Sequence, residues 1–242
     1  MNFDLKIELN GNKKRMLGKH WSPFGVTKKS IEDQIRKFPY TGQGRKKDAR
    51  VEYGVRLPMY AKVFYANVFF LDRVPSPEEF MESYLSQKCF SESTVEGHVT
   101  FVDERGRKYT LDKEAIIARG LRAYPSLLRD LHFYVTLVES GKFENVSYST
   151  EKDFQGTDVT VVHNGKEYGV ALFVDTARSR DFKQRKEGRH DEDYKSVICL
   201  PIDMSYGGLK AKVGDYYLYT PAHINILVNK IQAVQKTESK TA

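Results

Sequence analysis

The amino-acid sequence predicts an α/β protein in which a mixed central sheet is flanked by helices. Three observations in the second half of the chain point to this class: strand-like runs alternate with helical ones, a tight-turn dipeptide joins two of the strands, and one run is almost entirely apolar. Asn164-Gly165 is the strongest two-residue hairpin signal available, and residues 168–174 have the apolar character of a strand buried on both faces. Strands that alternate with helices favour a sheet covered by helices.

Two helices near the N-terminus are predicted from their start signals. Ser30 followed by Asp33 resembles a capping box for a short helix that ends near Lys37. Ser76-Pro77-Glu78-Glu79 is a clearer start, because serine caps a helix, proline suits its first turn and the second glutamate can reach back to the cap amide.

Strands are also predicted in this half of the chain. Residues 63–71 form an aromatic and β-branched run, which indicates a buried strand. Residues 99–102 and 108–111 flank a short polar turn and predict a hairpin. Asp112 then caps another short helix that continues to about Arg119.

The second half predicts a helix, a strand, a hairpin, a basic segment, a strand and a final helix, in that order. Residues 125–139 carry apolar side chains at helical spacing and form the first, amphipathic helix. Residues 145–149, 158–163 and 196–202 are strand candidates, in addition to the apolar run described above. Thr220-Pro221 opens the final helix.

A soft boundary near Ala123 is predicted to divide the chain. Residues 1–122 form a basic N-terminal α+β region, residues 123–236 form the α/β core, and residues 237–242 are predicted to be a disordered tail.

The composition excludes a membrane-spanning protein. The 242 residues are 40% hydrophobic and 29% charged, which is ordinary for a globular protein. The longest apolar run, residues 63–71, is far shorter than the roughly 20 residues of a spanning helix. The N-terminus lacks the plan of a secretion signal, and Cys89 and Cys199 are too few for a disulfide framework or a four-ligand zinc site. We therefore expect a cytoplasmic protein without membrane contact.

The surplus of positive charge predicts a polyanionic partner. The formal net charge is +7 at pH 7 and the pI is about 9.1, and such a surplus attracts nucleic acid in a salt-sensitive way. Basic and aromatic residues are interspersed near the N-terminus, and a glycine-rich stretch precedes Arg45, Lys46 and Lys47. We interpret these three residues as part of a flexible basic loop that contacts nucleic acid. An exposed tail or lid is the alternative.

Two aspartates flank the predicted hairpin in the way that a metal-dependent nuclease needs. Asp158 opens the strand before the tight turn, and Asp175 closes the strand after it. Two acids at neighbouring ends of a hairpin can converge on one hard cation, and phosphodiester cleavage needs such a cation to activate water. In the alternative interpretation Asp158 is a turn residue and Asp175 caps the segment that follows.

The residues around these acids resemble a known superfamily. The stretch Asp153-Phe154-Gln155-Gly156-Thr157-Asp158-Val159, followed by Gly165-Lys166-Glu167-Tyr168-Gly169-Val170, is similar to the restriction-endonuclease-like superfamily with the PD-(D/E)XK signature. In that superfamily a helix precedes a strand, and a metal-binding Asp, a hairpin and the (D/E)-X-K strand follow. Residues 169–176 are also similar to the cleavage domain of type IIS restriction enzymes. The resemblance covers roughly residues 125–231 and implies a restriction-endonuclease-like core.

This resemblance implies a metal-dependent phosphodiester hydrolase similar to a DNA endonuclease. Asp158 and Asp175 would hold Mg²⁺ or Mn²⁺, and Arg178 or Lys183 would supply a nearby positive charge. DNA is favoured over RNA as the substrate. A homodimer is compatible with the resemblance, because many nucleases of the superfamily dimerise to cut both strands.

The signature can be placed on the sequence in two ways. If Asp175 is the second acid, Ala177 stands at the position of the usual lysine, and a positive charge must come from a shifted position. If the signature lies earlier on the strand, Ala171 and Phe173 occupy the acid and lysine positions, which would leave an inactive site.

A basic segment follows the second aspartate. Its cationic residues are Arg178, Arg180, Lys183, Arg185, Lys186 and Arg189. We predict that Arg180, Arg185 and Lys186 grip phosphate groups beside the site, contacts that fix register without reading sequence. The alternative is a solvated loop and helix, since these side chains would not all share one helical face.

Three functions remain open at this point. The first is the metal-dependent nuclease. The second is a catalytically inactive protein of the same fold that binds DNA or RNA, which the missing lysine favours. The third is a protein-interaction module of a phage or mobile element, whose basic surface meets an acidic partner.

Overall fold

The computed structural model describes residues 26–42, 46–148, 157–173, 198–203 and 211–241, and within them the chain has a mixed α/β structure, as predicted. The described helices are α1 Lys28–Ile35, α2 Tyr60–Leu71, α3 Pro77–Leu85, α4 Lys113–Ser140 and α5 Pro221–Thr241, together with a π-helical turn at Arg50–Gly54. No helix in this part of the chain combines the length and the apolar character needed to cross a membrane.

The described strands form three small sheets. They are β1 Phe90–Glu92, β2 His98–Val102, β3 Lys108–Asp112, β4 Asn145–Ser147, β5 Val159–His163, β6 Lys166–Phe173, β7 Ile198–Asp203, β8 Ala211–Val213 and β9 Tyr216–Leu218. Strands β1, β2 and β3 form an antiparallel sheet that contains the predicted hairpin, and β8 pairs with β9. Strands β4 to β7 form the largest sheet, in sequence order.

The four-stranded sheet is mixed. Strands β4, β5 and β6 are antiparallel neighbours, whereas β7 runs parallel to β6. Asn164 and Gly165 join β5 to β6 with φ angles of 53° and 71°, the left-handed conformation of a two-residue hairpin turn. The predicted hairpin is therefore confirmed. Since β6 lies between β5 and β7, it is also confirmed as an interior strand.

The strand predicted at residues 63–71 is wrong, because these residues belong to helix α2. Seven residues of α2 are buried, and they do not alternate as they would on a strand: Ala61, Val63, Phe64, Tyr65, Ala66, Val68 and Phe69. A helix buried around most of its circumference has a nearly continuous apolar sequence, which resembles that of a buried strand.

A single helix, α4, replaces the two helices predicted on either side of Ala123. Pro125 lies inside it and cannot donate a hydrogen bond to the carbonyl of Leu121, four residues earlier. The hydroxyl of Thr41 donates to that carbonyl instead, at 2.7 Å. A side chain from the N-terminal half thus satisfies the acceptor that proline leaves open, and the helix continues without a break.

The core joins residues from both sides of the predicted boundary. Ile31 and Phe64 from the first half belong to the same buried cluster as Leu128, Tyr168 and Ile231 from the second half. The boundary itself falls within α4. In place of the disordered tail predicted from residue 237, α5 continues to Thr241.

The helix starts are partly as predicted. Ser76 and Glu79 form the predicted capping box at the start of α3: each side chain accepts a hydrogen bond from the other residue's backbone N–H. At α1 the cap is one turn earlier than predicted. Thr27 is the N-cap, and Ser30 is its partner in the capping box instead of being the cap itself.

Helix α1 packs on α4 through one buried histidine. Nε2 of His132 lies 3.1 Å from Oε1 of Glu32, and the side chain of Glu139 accepts the backbone N–H of Lys28 at 2.7 Å. The His132 ring is almost completely buried. Its Nδ1 has no hydrogen-bond partner among the described residues, so a second ring proton would be buried without an acceptor. Burial lowers the pKa of His132, although Glu32 opposes this shift.

We predict that the packing of α1 against α4 contributes less to the stability of the protein at low pH. Because the pKa of His132 is lower in the folded than in the unfolded chain, its contribution to stability is complete above the unfolded pKa of about 6.5 and is lost as the pH falls towards the folded pKa. The free energy of unfolding, measured with urea, should therefore decrease between about pH 7.5 and 5. His132→Gln, which keeps a donor for Glu32, should make this decrease smaller. Equal pH profiles for His132→Gln and the wild type would contradict the prediction.

Candidate active site

Asp158 lies where the pairing between β5 and β6 ends. Its backbone N–H donates to the carbonyl of Val170 at 2.9 Å, and its carboxylate accepts the backbone N–H of Leu172. The carboxylate of Asp158 thus accepts a hydrogen bond at the point where a backbone carbonyl would otherwise continue the pairing of β5 with β6. This contact holds the carboxyl group at the end of the central strand β6, near the point where the chain leaves the sheet.

Asp158 opens onto a cleft between the sheet and two helices. The cleft has a volume of about 370 Å³, within the range of small-ligand sites. Helix α2 forms one wall, α4 forms a second, and the ends of β5 and β6 form the floor. The residues that line it are Met59, Tyr60, Ala61, Tyr65, Ser126, Leu127, Asp130, Tyr148, Asp158 and Leu172.

Aromatic rings make the α2 side of the cleft rigid. The rings of Tyr65 and Tyr148 are stacked with their centroids 3.7 Å apart. The ring of Tyr60 stacks on Tyr84 at 4.3 Å, and its hydroxyl donates to the carbonyl of Ile116 at 3.1 Å. Burial raises the pKa of Tyr60 to about 12, so its hydroxyl keeps its proton at neutral pH. These contacts hold the rings that line the cleft in place.

A second carboxylate, that of Asp130, lines the same cleft. Ser126 and Asp130 are four residues apart on α4 and therefore share one helical face. Together with Asp158 they give the cleft two carboxylates and a hydroxyl, the hard oxygen donors that Mg²⁺ prefers. Within the part of the chain that the structure describes, no three His, Cys, Asp or Glu side chains form a group that could hold a metal ion. A divalent cation would need a further ligand from elsewhere.

Several residues predicted for the site lie outside the described residues. They are the second aspartate, the two candidate catalytic cations, three of the predicted phosphate contacts and the first residue of the basic loop: Asp175, Arg178, Lys183, Arg180, Arg185, Lys186 and Arg45. In sequence, Asp175 follows the last residue of β6 by two positions. Ala171, the acid position in the alternative placement of the signature, is buried in β6.

The two described members of the basic loop differ in their surroundings. Nζ of Lys46 lies 2.5 Å from a carboxylate oxygen of Asp112 and 3.8 Å from one of Glu114. These acids raise the pKa of Lys46, mainly through the hydrogen bond to Asp112. Lys47 is exposed. Its side chain is therefore better placed than that of Lys46 to meet a phosphate group.

Sequence reasoning missed the contribution of α4 to the cleft. The helix was interpreted only for its apolar face, although Ser126 and Asp130 stand at helical spacing beside that face. The signal in the sequence is Asp130 itself, a carboxylate in the helix that precedes Asp158. Tyr65 carried no such signal, since it is one aromatic residue within an apolar run.

The chain was also compared with known proteins. Comparisons with protein-family models, with curated proteins and with solved structures find no match.

Proposed function

We propose that this chain is a metal-dependent phosphodiester hydrolase that acts on nucleic acid. The observation that carries the proposal is the position of Asp158, whose carboxylate is fixed at the end of the central strand and opens onto a cleft of about 370 Å³. A second acid, Asp130, lines the same cleft. Carboxylates that converge beside a cleft are the ligand set from which Mg²⁺ sites for phosphoryl chemistry are built.

The order of elements supports a nuclease-like core of the PD-(D/E)XK type. Helix α4 precedes strand β4, then come Asp158 and the hairpin of β5 and β6, which is the order that the resemblance in sequence implies. Strand β7 then pairs parallel to β6, and α5 follows. The connection between β6 and β7 lies outside the described residues.

In this proposal the residues of the chain position the reacting groups. Asp158 and Asp175 would hold the cation, and Asp130 would add negative charge to the same cleft. In the sequence, Asp175 follows Phe173, the last residue of β6, by two positions. A cation held there would activate water and neutralise charge on the leaving oxygen. The stacked tyrosines limit the space in which a phosphate can lie.

A second candidate is a protein of this fold that binds nucleic acid without cutting it. Two features favour it. The strand positions nearest Asp158 are apolar, with Ala171 and Leu172 both buried, and Ala177 occupies the position of the usual lysine. The net charge of +7 supports binding in either case.

Incubation with defined substrates tests the proposal. We expect the purified chain to cleave plasmid DNA or single-stranded DNA when Mg²⁺ or Mn²⁺ is present and to leave it intact in EDTA, with RNA as a parallel substrate. Salt-sensitive binding without cleavage of any substrate in either metal would favour the second candidate. Absence of both binding and cleavage would favour the protein-interaction module and contradict both candidates.

A further inference from the structure

The π-helical turn Arg50–Gly54 presents one aromatic side chain among cations. Tyr53 is 80% exposed, more than any other large hydrophobic residue in the described part of the chain. Lys47 and Arg50 are exposed as well. Within the described residues, the side chains of Lys47, Arg50 and Tyr53 make no hydrogen bond or ion pair that would hold them against the protein. We name these three residues the turn surface.

The turn beneath this surface is fixed. Val51 is completely buried, and its backbone N–H donates to Oδ1 of Asp48 at 2.9 Å. Arg119 of α4 donates to the carbonyl of Val51, and Arg122, one helical turn later, donates to the carboxylate of Glu52. The turn is therefore preorganised, and a ligand would not have to order the backbone on binding. π-Helical turns are rare in proteins.

The side chains of the turn are divided between an inner and an outer face. Val51 and Glu52 face α4, while Arg50 and Tyr53 point away from it. Gly54 keeps the outer face open: a Cβ atom added there would lie 3.1 Å from Cγ of Arg50. A side chain at this position would crowd the aliphatic part of Arg50.

We propose that the turn surface binds an unpaired nucleotide of a single-stranded nucleic acid, with the base stacked on Tyr53 and phosphate groups on Lys47 and Arg50. This inference rests on the proposed function, because it names the kind of nucleic acid that the chain takes. An exposed aromatic ring accompanied by exposed cations is typical of sequence-tolerant single-strand binding, since every base has a face that can stack. A duplex hides these faces, and an acidic peptide would need the cations but not the ring.

The turn surface is close enough to the cleft for one strand to reach both. Met59, which lines the cleft, follows Gly54 by five positions, and five fully extended residues span at most about 18 Å. The hydroxyl of Tyr84 holds this connection by donating to the carbonyl of Pro58 at 2.8 Å. A strand stacked on Tyr53 could thus extend to the cleft that Asp158 lines.

Fluorescence anisotropy with a labelled oligothymidylate and a labelled duplex tests the inference, in EDTA so that no cleavage interferes. We expect Tyr53→Ala to weaken oligothymidylate binding about 10-fold, the effect of losing one stacked base. Tyr53→Phe keeps the ring and should bind like the wild type. Arg50→Ala should reduce the slope of log K against log salt by about 0.7, as expected for one lost phosphate contact on a single strand. Tyr217→Ala, which removes another exposed tyrosine, is the matched control.

The results separate this inference from the proposed function. Wild-type affinity in Tyr53→Ala, or an equal loss of duplex binding, would overturn the inference even if the chain cleaves nucleic acid. Loss of oligothymidylate binding in Tyr53→Ala but not in Tyr53→Phe, with no cleavage of any substrate in Mg²⁺, would support the inference and contradict the hydrolase. A wild-type chain that does not bind oligothymidylate would overturn the inference outright.

Discussion

Replacing Asp158 with asparagine is expected to lower the rate of Mg²⁺-dependent cleavage by about 1000-fold or more. A cation in such a site contributes several kcal/mol of charge stabilisation in the transition state, and each 1.36 kcal/mol corresponds to about a factor of ten in rate. Asparagine removes the charge that holds the cation. It keeps a carbonyl oxygen of the same reach, so it can still accept the N–H of Leu172.

The comparison with alanine separates this chemical role from the structural one. Asp158→Ala should be equally inactive. Its free energy of unfolding should also be lower than that of the wild type by about 1 kcal/mol or more, because the N–H of Leu172 loses its acceptor. Asp215→Asn, which changes an exposed aspartate in the turn between β8 and β9, should change neither activity nor stability. Full cleavage by Asp158→Asn, measured on the wild type's best substrate, would remove Asp158 from the proposed site.

The part of the fold that sequence reasoning predicted best is the four-stranded sheet. Its hairpin depends on a local signal, since Asn164 and Gly165 adopt left-handed φ angles at little cost. Strand β6 has an apolar run of the length of a strand, bounded by this turn. In both cases the local preference of the chain and its tertiary environment favour the same conformation, which makes a prediction from sequence dependable.

The mistaken assignments have a common physical cause, because a tertiary contact outweighs a local preference in each of them. The β-branched and aromatic residues of α2 favour a strand by propensity, yet the helix is surrounded by other elements and buries most of its side chains. Pro125 marks a helix start by local rules, but Thr41 supplies the missing donor for the carbonyl of Leu121. Residue 41 is far from residue 121 in the sequence, so no local pattern could have predicted this bond.

The candidate site was predictable only in part for a similar reason. Asp158 precedes a recognisable strand and could be named from its position. Asp130 of α4 lines the same cleft as Asp158, and the spacing of these two residues along the chain does not predict that they meet. The Lys46 side chain was predicted to meet phosphate from charge alone, whereas its contacts with Asp112 and Glu114 depend on the fold.

Arg122→Ala is expected to lower the free energy of unfolding by about 3–5 kcal/mol. The side chains of Arg122 and Glu52 form an ion pair in which they are only 13% and 10% exposed. Arg122 also donates to the carbonyl of Lys46 at 2.6 Å. Removal of one member of a buried pair leaves the other charge desolvated and unpaired, and losses of this size follow. Urea denaturation of the variant and the wild type measures the change.

An exposed pair of the same type gives the matched control. An amino nitrogen of Arg73 lies 2.6 Å from a carboxylate oxygen of Glu79, but each side chain is 41% exposed. Arg73→Ala should therefore lower the free energy of unfolding by only about 1 kcal/mol or less. The double variant Arg122→Met/Glu52→Leu should recover most of the stability lost in Arg122→Ala, because it leaves no unpaired charge. If Arg122→Ala and Arg73→Ala lose the same stability, the inner pair is solvated and contributes little to the rigidity of the π-helical turn. The turn would then be held mainly by the contacts of Val51 with Asp48 and Arg119.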